Sequence, residues 1–280
     1  MNAPTRPVLR WHGGKWKLAP WIISHFPKHR VYVEPFGGAA SVLLRKERSY
    51  AEVYNDLDQD VVTLFRVLRE PESAARLLAA LRLTPFAKVE FEESYRPALD
   101  QVEIARRLLI RSFMGFGSNG HNAATKTGFR ANTSRSGTTP ALDWANYPDL
   151  LPTIIERLTG VVIECRDACE VMTAHDADLT LHYVDPPYLL ETRSQSMSRN
   201  GCYAHEMDRP GHVRLLEHLH GLAGMVVLSG YPDALYDASL PGWRRVEIST
   251  MADGARPRTE VLWLNPACAA ALDARQERLL

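Results

Sequence analysis

The stretch Leu181-His182-Tyr183-Val184-Asp185-Pro186-Pro187-Tyr188 reads as a strand that is stopped on purpose. Leu181 to Val184 is apolar and rich in strand formers, and an acid, two prolines and a tyrosine follow at once. Proline has no backbone N–H and a fixed φ, so the ladder cannot continue through this corner. An acid just beyond a buried strand stands where open α/β sheets bind ligands, at the carboxyl edge. A carboxylate and the carbonyl of the first proline can hold a planar NH₂ by both hydrogens. Tyr188 can stack on the ring that carries it. The plain alternative is a strand-ending turn, because Asp-Pro is a common turn pair.

Working outward, short apolar runs recur between turn signals. They are Val31–Glu34, Ala51–Tyr54, Val161–Cys165, Leu179–Val184, Met225–Ser229, Arg245–Ile248 and Glu260–Leu264. All have strand length and most are β-branched or aromatic. Helical patterns lie between them at Ala39–Lys46, Gln59–Leu68 and His212–Leu222. This alternation predicts βαβ units and an α/β fold, a doubly wound, mostly parallel seven-stranded sheet. The last two runs have no room for a crossover helix and are expected to form an antiparallel hairpin at the edge. The alternation fails between about residues 70 and 155. There Pro71–Leu83 and Gln101–Phe113 look helical, and a long Gly/Ser/Thr/Asn-rich stretch follows. A loop of that length is expected only where it is functional. Residues 70–155 therefore read as an inserted, mainly helical second domain, with 1–69 and 156–280 forming the first.

The 280 residues carry 33 Lys+Arg and 33 Asp+Glu, so net charge argues neither for nor against nucleic acid. Four cysteines, Cys165, Cys169, Cys202 and Cys268, are too few for a disulfide framework in so long a chain. The Cys165/Cys169 pair lacks a second ligand pair, so no metal is expected and buried thiols in a reducing compartment are. The histidines His205, His212, His218 and His220 fall near one predicted helix without metal-ligand spacing. The opening MNAPTRPVLRWHGGK has no apolar leader core and no run of 18 apolar residues occurs, so a soluble intracellular protein without membrane contact is expected.

Three further motifs carry chemistry. In YVEPFGGAASVLL, Tyr32 to Leu44, a strand ends in Glu34 and a Gly37-Gly38 turn follows, which lets a ligand approach the backbone. In VYNDLDQDVV, Asp56 falls where doubly wound folds set an acid against a ribose hydroxyl, and Asp58 is placed to cap the next helix. In LRWHGGKWKLAPWI, Trp11 and Lys15 flank a Gly-Gly turn and offer an aromatic face and a cation. Its alternative is an N-terminal arm that packs Trp11 and Trp16 into the core. From Ile104 to Leu142 there is no acid at all, while Arg106, Arg107, Arg111, Lys126, Arg130 and Arg135 are present, with His121. Such clustering reads as a phosphate-binding surface; the alternative is a helix face whose charge is balanced from elsewhere. Arg130 and Lys126 are candidates to reach guanine, and Asn119, Asn122 and Asn132 to read adenine edges. Arg193 and Arg199, after the Asp185 corner, are candidates to hold phosphate.

The order W-x-G-G-K, E-P-F-G-G, N-D-x-D, polar insertion, D-P-P-Y resembles that of the Dam-like (D12 class, α arrangement) N6-adenine DNA methyltransferases over nearly the whole chain. The resemblance implies a class I methyltransferase, Rossmann-like fold with an inserted target-recognition domain. It implies methyl transfer from S-adenosylmethionine to N6 of an adenine flipped out of double-stranded DNA. Trp11, Lys15, Glu34, Phe36, Gly37, Gly38, Asp56, Asp167 and Asp185 match cofactor-binding positions, and Asp185, Pro186, Pro187 and Tyr188 the catalytic corner. A monomer in the bacterial cytoplasm, host- or phage-encoded, is the expected setting. The family loop is usually F-x-G-x-G, whereas this chain has Phe36-Gly37-Gly38-Ala39-Ala40. A methyl at Ala40 is expected to be tolerated in a helical conformation. N4-cytosine methylation, and a catalytically silent nucleic-acid-binding protein of the same fold, remain open alternatives.

Overall fold

The computed structural model describes residues 4–117, 126–133, 137–193, 203–251 and 257–277. Seven strands form one sheet: Val31–Glu34 (β1), Ala51–Asn55 (β2), Val161–Glu164 (β3), Thr180–Val184 (β4), Met225–Gly230 (β5), Arg244–Met251 (β6) and Pro257–Leu264 (β7). Their order is β3-β2-β1-β4-β5-β7-β6. The first five pair in parallel and β7 is antiparallel to both β5 and β6. Every residue of β4 and β5 is buried. Strands covered on both faces read as unbroken apolar runs, which is why these two were legible.

Helices cover both faces. Gln59–Arg69 follows β2, and Asp58 caps it by accepting from the Asp60 amide at 3.0 Å. Residues 70–155 add the helices Pro71–Leu83, Lys88–Glu93, Gln101–Met114 and Pro140–Ala145. Leu151–Leu158 then leads into β3, crossing the expected boundary at 155/156. Leu77, Phe91, Leu108, Phe113, Trp144 and Tyr147 share one buried cluster with Tyr32, Leu43, Tyr54 and Phe65 beside the sheet. Trp11 and Trp16 pack partly buried against the same cluster. The opposite face is closed by Leu215, Leu216 and Leu219 of the helix Arg209–His220, against Val226, Leu228 and Trp263.

Three expectations need correction. Ala39–Lys46 is not a helix but a series of turns, with Leu44 N bonded to Ala40 O and Lys46 N to Val42 O. The chain is broken by Gly38 at φ 47° and Ala40 at φ 52°. Ala40 therefore sits in the left-handed region, which disfavours any Cβ, and not in a helical conformation. This is the position where the family usually has glycine. Third, Cys165 and Cys169 are half-buried and only Cys268 is buried; Cys202 lies outside the described residues. Among the described residues no group of three or more His, Cys, Asp or Glu is arranged to hold a metal, and no helix is long and apolar enough to cross a membrane.

The helix Gln101–Met114 and Tyr147 also hold the N-terminal arm. Ser112 on Gln101–Met114 bonds both the amide and the carbonyl of Arg10, at 2.8 and 3.0 Å, and Tyr147 donates to the Val8 carbonyl at 2.8 Å. These ties deliver Trp11 to Lys15 to the carboxyl edge of β1 and β4.

Candidate active site

A cavity of about 550 Å³ opens over the carboxyl ends of β1, β2 and β4. That size suits a small-molecule site. Trp11, Lys15, Glu34, Phe36, Gly37, Gly38, Asp56, Asp167, Asp185, Pro186, Pro187 and Tyr188 all line it.

The Asp185 corner is built around a buried ion pair. Lys15, 5% exposed, places its Nζ 3.0 Å from Asp185 Oδ2 and donates to the Gly13 carbonyl at 2.8 Å. The same Nζ lies 4.6 Å from the centre of the Tyr188 ring. Burial opposes the Lys15 charge, but Asp185 and Glu260 outweigh it and raise the pKa. With Oδ2 occupied, Asp185 Oδ1 is buried and accepts no hydrogen bond among the described residues. An unpaired carboxylate oxygen is costly, and a ligand N–H relieves that cost.

Tyr188 is anchored at both ends. Its hydroxyl lies 2.9 Å from Ser229 Oγ and donates to Glu260 Oε2 at 2.9 Å, and its ring meets Tyr231 edge-on at 4.4 Å. Burial pushes the Glu260 carboxyl up, while Lys15 holds it down. Arg258 stands over the Tyr231 ring and bonds its hydroxyl. Sequence reasoning missed Ser229, Tyr231, Arg258 and Glu260. They come from β5, the residue just after it and β7, the two hydroxyl partners lying 41 and 72 residues beyond Tyr188, and the sheet order brings them together.

The turn after β1 is held from three sides. Tyr54 donates to the Gly38 carbonyl at 2.7 Å, Asp56 Oδ2 accepts from the Gly38 amide at 2.7 Å, and Gly37 N bonds Asn55 O at 2.8 Å. A Cβ on Gly37 would lie 2.1 Å from the Tyr54 ring, and one on Gly38 2.6 Å from Trp11 Nε1. Both glycines are sterically required there. Glu34 supports this turn from beneath, accepting from the Tyr32 hydroxyl at 2.7 Å and the Leu43 amide at 3.0 Å. Burial pushes its carboxyl up to about 8. Asp56 also accepts from Asp58 N at 2.8 Å, yet a carboxylate keeps room for a further donor. Asp167 caps the helix Ala168–Ala174 through the amides of Cys169 and Glu170, so it presents the start of that helix to the cavity. The wall opposite is formed by Tyr203 to Asp208.

The basic window is largely spent inside the molecule. Arg106 grips Glu103 at 2.7 Å and Glu90 at 2.9 Å; Arg107 shares Glu103 at 2.6 Å and donates to the carbonyls of Arg96 and Pro97. Arg111 is 3% exposed, bonded to Asp60 at 2.6 Å and to the Ser94 carbonyl. These three arginines are therefore corrected from phosphate ligands to ties within the insertion and onto Gln59–Arg69. Of the balancing acids, Glu103 borders the acid-free window, while Glu90 and Asp60 come from the helices Lys88–Glu93 and Gln59–Arg69. Arg193 is likewise turned inward, to the Tyr188 carbonyl and to Glu206. Lys126 is exposed above the Tyr95 ring, and Arg130 is half-buried and donates to the Phe113 carbonyl at 3.2 Å. Asn132 is exposed. Asn119, His121, Asn122, Arg135 and Arg199 lie outside the described residues. Of the histidines, His212 is fully buried against Tyr236 and His205 lines the cavity.

A sheet with β7 slotted antiparallel between β5 and β6, and a cavity over the ends of β1 and β4, defines the class I methyltransferase fold. Residues 11–233 match the family described as D12 class N6 adenine-specific DNA methyltransferase, and the chain belongs to that family. It is similar to the DNA adenine methylase of Escherichia coli (strain K12), 27% identical over 192 residues, which is 65% of either chain. It also resembles the DNA adenine methylases of Salmonella typhi, 30% identical over 37% of this chain and 32% of that one, and of Vibrio cholerae serotype O1, 36% identical over 24% of each. The chain thus spans just under two thirds of the first relative's length.

Proposed function

We propose that this chain is a site-specific DNA methyltransferase that moves a methyl group from S-adenosylmethionine to N6 of an adenine flipped out of duplex DNA. The observation that carries the reading is Asp185: one oxygen fixed on Lys15 at 3.0 Å, the other buried without a donor among the described residues, on the wall of the cavity. The residues present fit the donor. Trp11 offers an aromatic edge, Gly37 and Gly38 bare backbone, and Asp56 an acceptor for a ribose hydroxyl. Bound there, S-adenosylmethionine supplies a methyl group on a positively charged sulfur.

The target amine is a weak nucleophile because its lone pair is delocalised into the ring. Asp185 Oδ1 accepts one N6 hydrogen, and the Pro186 carbonyl accepts the other. Both acceptors favour a pyramidal nitrogen whose lone pair faces the methyl group. The prolines keep them from swinging away. Tyr188 offers its ring to the base, and a base inside a duplex must be flipped to reach it. Positioning and fixed charge then account for the acceleration. Residues 70–155 serve as the target-recognition segment, between 1–69 and 156–280, with Lys126 on phosphate and Arg130 at the bases. Because its relatives are bacterial, we place the enzyme in the bacterial cytoplasm, host- or phage-encoded; we take it to act as a monomer. Methyl transfer from labelled S-adenosylmethionine to unmethylated duplex DNA, followed by nucleoside analysis, tests the reading. N6-methyladenine is expected; N4-methylcytosine, or no incorporation, overturns it.

A further inference from the structure

Glu260 lies behind the Asp185 corner and is not among the residues that line the cavity. It is 7% exposed and accepts from the Tyr188 hydroxyl at 2.9 Å. The Tyr188 ring in turn lies 4.6 Å from Lys15 Nζ, which is 3.0 Å from Asp185. The buried group thus holds two carboxylates and one ammonium. Arg258, the other cation facing Glu260, stands half-buried over Tyr231. Lys15 and Arg258 together offset the two carboxylates, so the Glu260 charge is kept ionisable behind the pair that faces the cavity. Ser229 is the second, neutral partner of the same hydroxyl, at 2.9 Å.

The reaction gives this charge a use. When the N6 lone pair forms its bond to the methyl carbon, the C–S electron pair stays on sulfur. The positive charge passes from sulfur to nitrogen, and N6 then releases a proton toward Asp185. A fixed negative charge near nitrogen favours that transfer, most strongly where water is excluded.

Resting on the functional reading above, we propose that Glu260 is a positioning residue with a second role. It locks Tyr188 and supplies, behind Lys15 and Asp185, the negative charge that favours cation development on the accepting amine. Glu260→Gln keeps the acceptor for Tyr188 and removes the charge. Ser229→Ala removes the other hydroxyl partner and leaves the charge.

The test uses the full chain, with steady-state methylation of duplex DNA and, separately, calorimetric binding of S-adenosylmethionine and of its neutral product S-adenosylhomocysteine. Glu260→Gln is expected to lower kcat about tenfold or more with both KM values within about twofold. It should also reduce the preference for the cationic over the neutral ligand. Ser229→Ala should stay within about threefold in kcat, and Glu260→Asp should recover most of the loss. Wild-type kcat and preference in Glu260→Gln, or equal losses in Glu260→Gln and Ser229→Ala, overturn the proposal. If Glu260→Gln does not fold, a Glu260→Asp variant that loses about tenfold or more in kcat, although it keeps the charge, overturns it. Should the wild-type chain bind both ligands but methylate no DNA, the functional reading fails, and the binding preference alone decides the role of Glu260.

Discussion

Replacing Tyr188 with Phe separates two accounts of this residue. If the ring only stacks on the base, the hydroxyl is dispensable and Tyr188→Phe keeps much of the activity. The structure predicts otherwise. The hydroxyl lies between Ser229 and Glu260, at 2.9 Å from each, in a position where the whole residue is 8% exposed. A hydrogen bond to a charged acceptor is worth roughly 1.5–3 kcal/mol, and a buried carboxylate that loses its donor bears the larger share. A neutral bond to Ser229 adds ~1 kcal/mol, part of which is recovered because Ser229 can turn to Glu260. The net expected loss is about 2 kcal/mol, or roughly 4–6 °C in Tm for a chain of this size. The freed ring no longer fixes Lys15, so kcat should fall about tenfold, while Tyr188→Ala, which also loses ~1–3 kcal/mol of stacking, falls much further. Thermal unfolding and methylation rates at saturating substrates measure both effects. A Phe variant with the wild-type Tm and rate would refute the anchoring argument.

Gly38→Ala puts a Cβ 2.6 Å from Trp11 Nε1 at φ 47°, and should weaken S-adenosylmethionine binding by on the order of tenfold through displacement of Trp11; calorimetry reads this directly. Glu34 carries a carboxyl raised from 4.5 to about 8, so the folded chain holds a proton that the unfolded chain releases between those values. Its stabilising contribution is full below about pH 4.5 and is lost as pH rises toward about 8. Stability of the wild type relative to Glu34→Gln should therefore fall across that window, on the order of 2–4 kcal/mol; parallel urea-unfolding profiles would contradict it. Arg111→Ala removes a buried cation from Asp60 and Ser94 and should cost about 2–3 kcal/mol of stability without changing the salt slope of DNA binding. Lys126→Ala should do the reverse, flattening that slope by about one unit.

The strands were legible because parallel, doubly covered strands are continuous apolar runs, and β4 and β5 are buried at every residue. The turn motifs were legible because glycine and proline act through the backbone itself. The segment after β1 was not. Its apolar spacing mimics a helix, but Glu34 takes the Leu43 amide and Ala40 adopts φ 52°, and neither fact is local to the pattern. The arginines misled for a related reason. Glu103 stands one residue outside the acid-free window, and Glu90 and Asp60 arrive from other helices, so a charge count along the chain could not see the pairs. Glu260 carries no local signal either; its partner Tyr188 lies 72 residues away, brought near by the position of β7 beside β5.

The most direct test of the account is the methylation rate of Asp185→Ala at saturating S-adenosylmethionine and duplex DNA, with DNA affinity measured in parallel. Removing the buried oxygen that accepts no bond among the described residues, and the partner of Lys15, strips the amine of its charged acceptor. The rate is expected to fall by on the order of 10³ or more, with DNA affinity near that of the wild type. A variant that retains a tenth of the wild-type rate would contradict the central role assigned to Asp185.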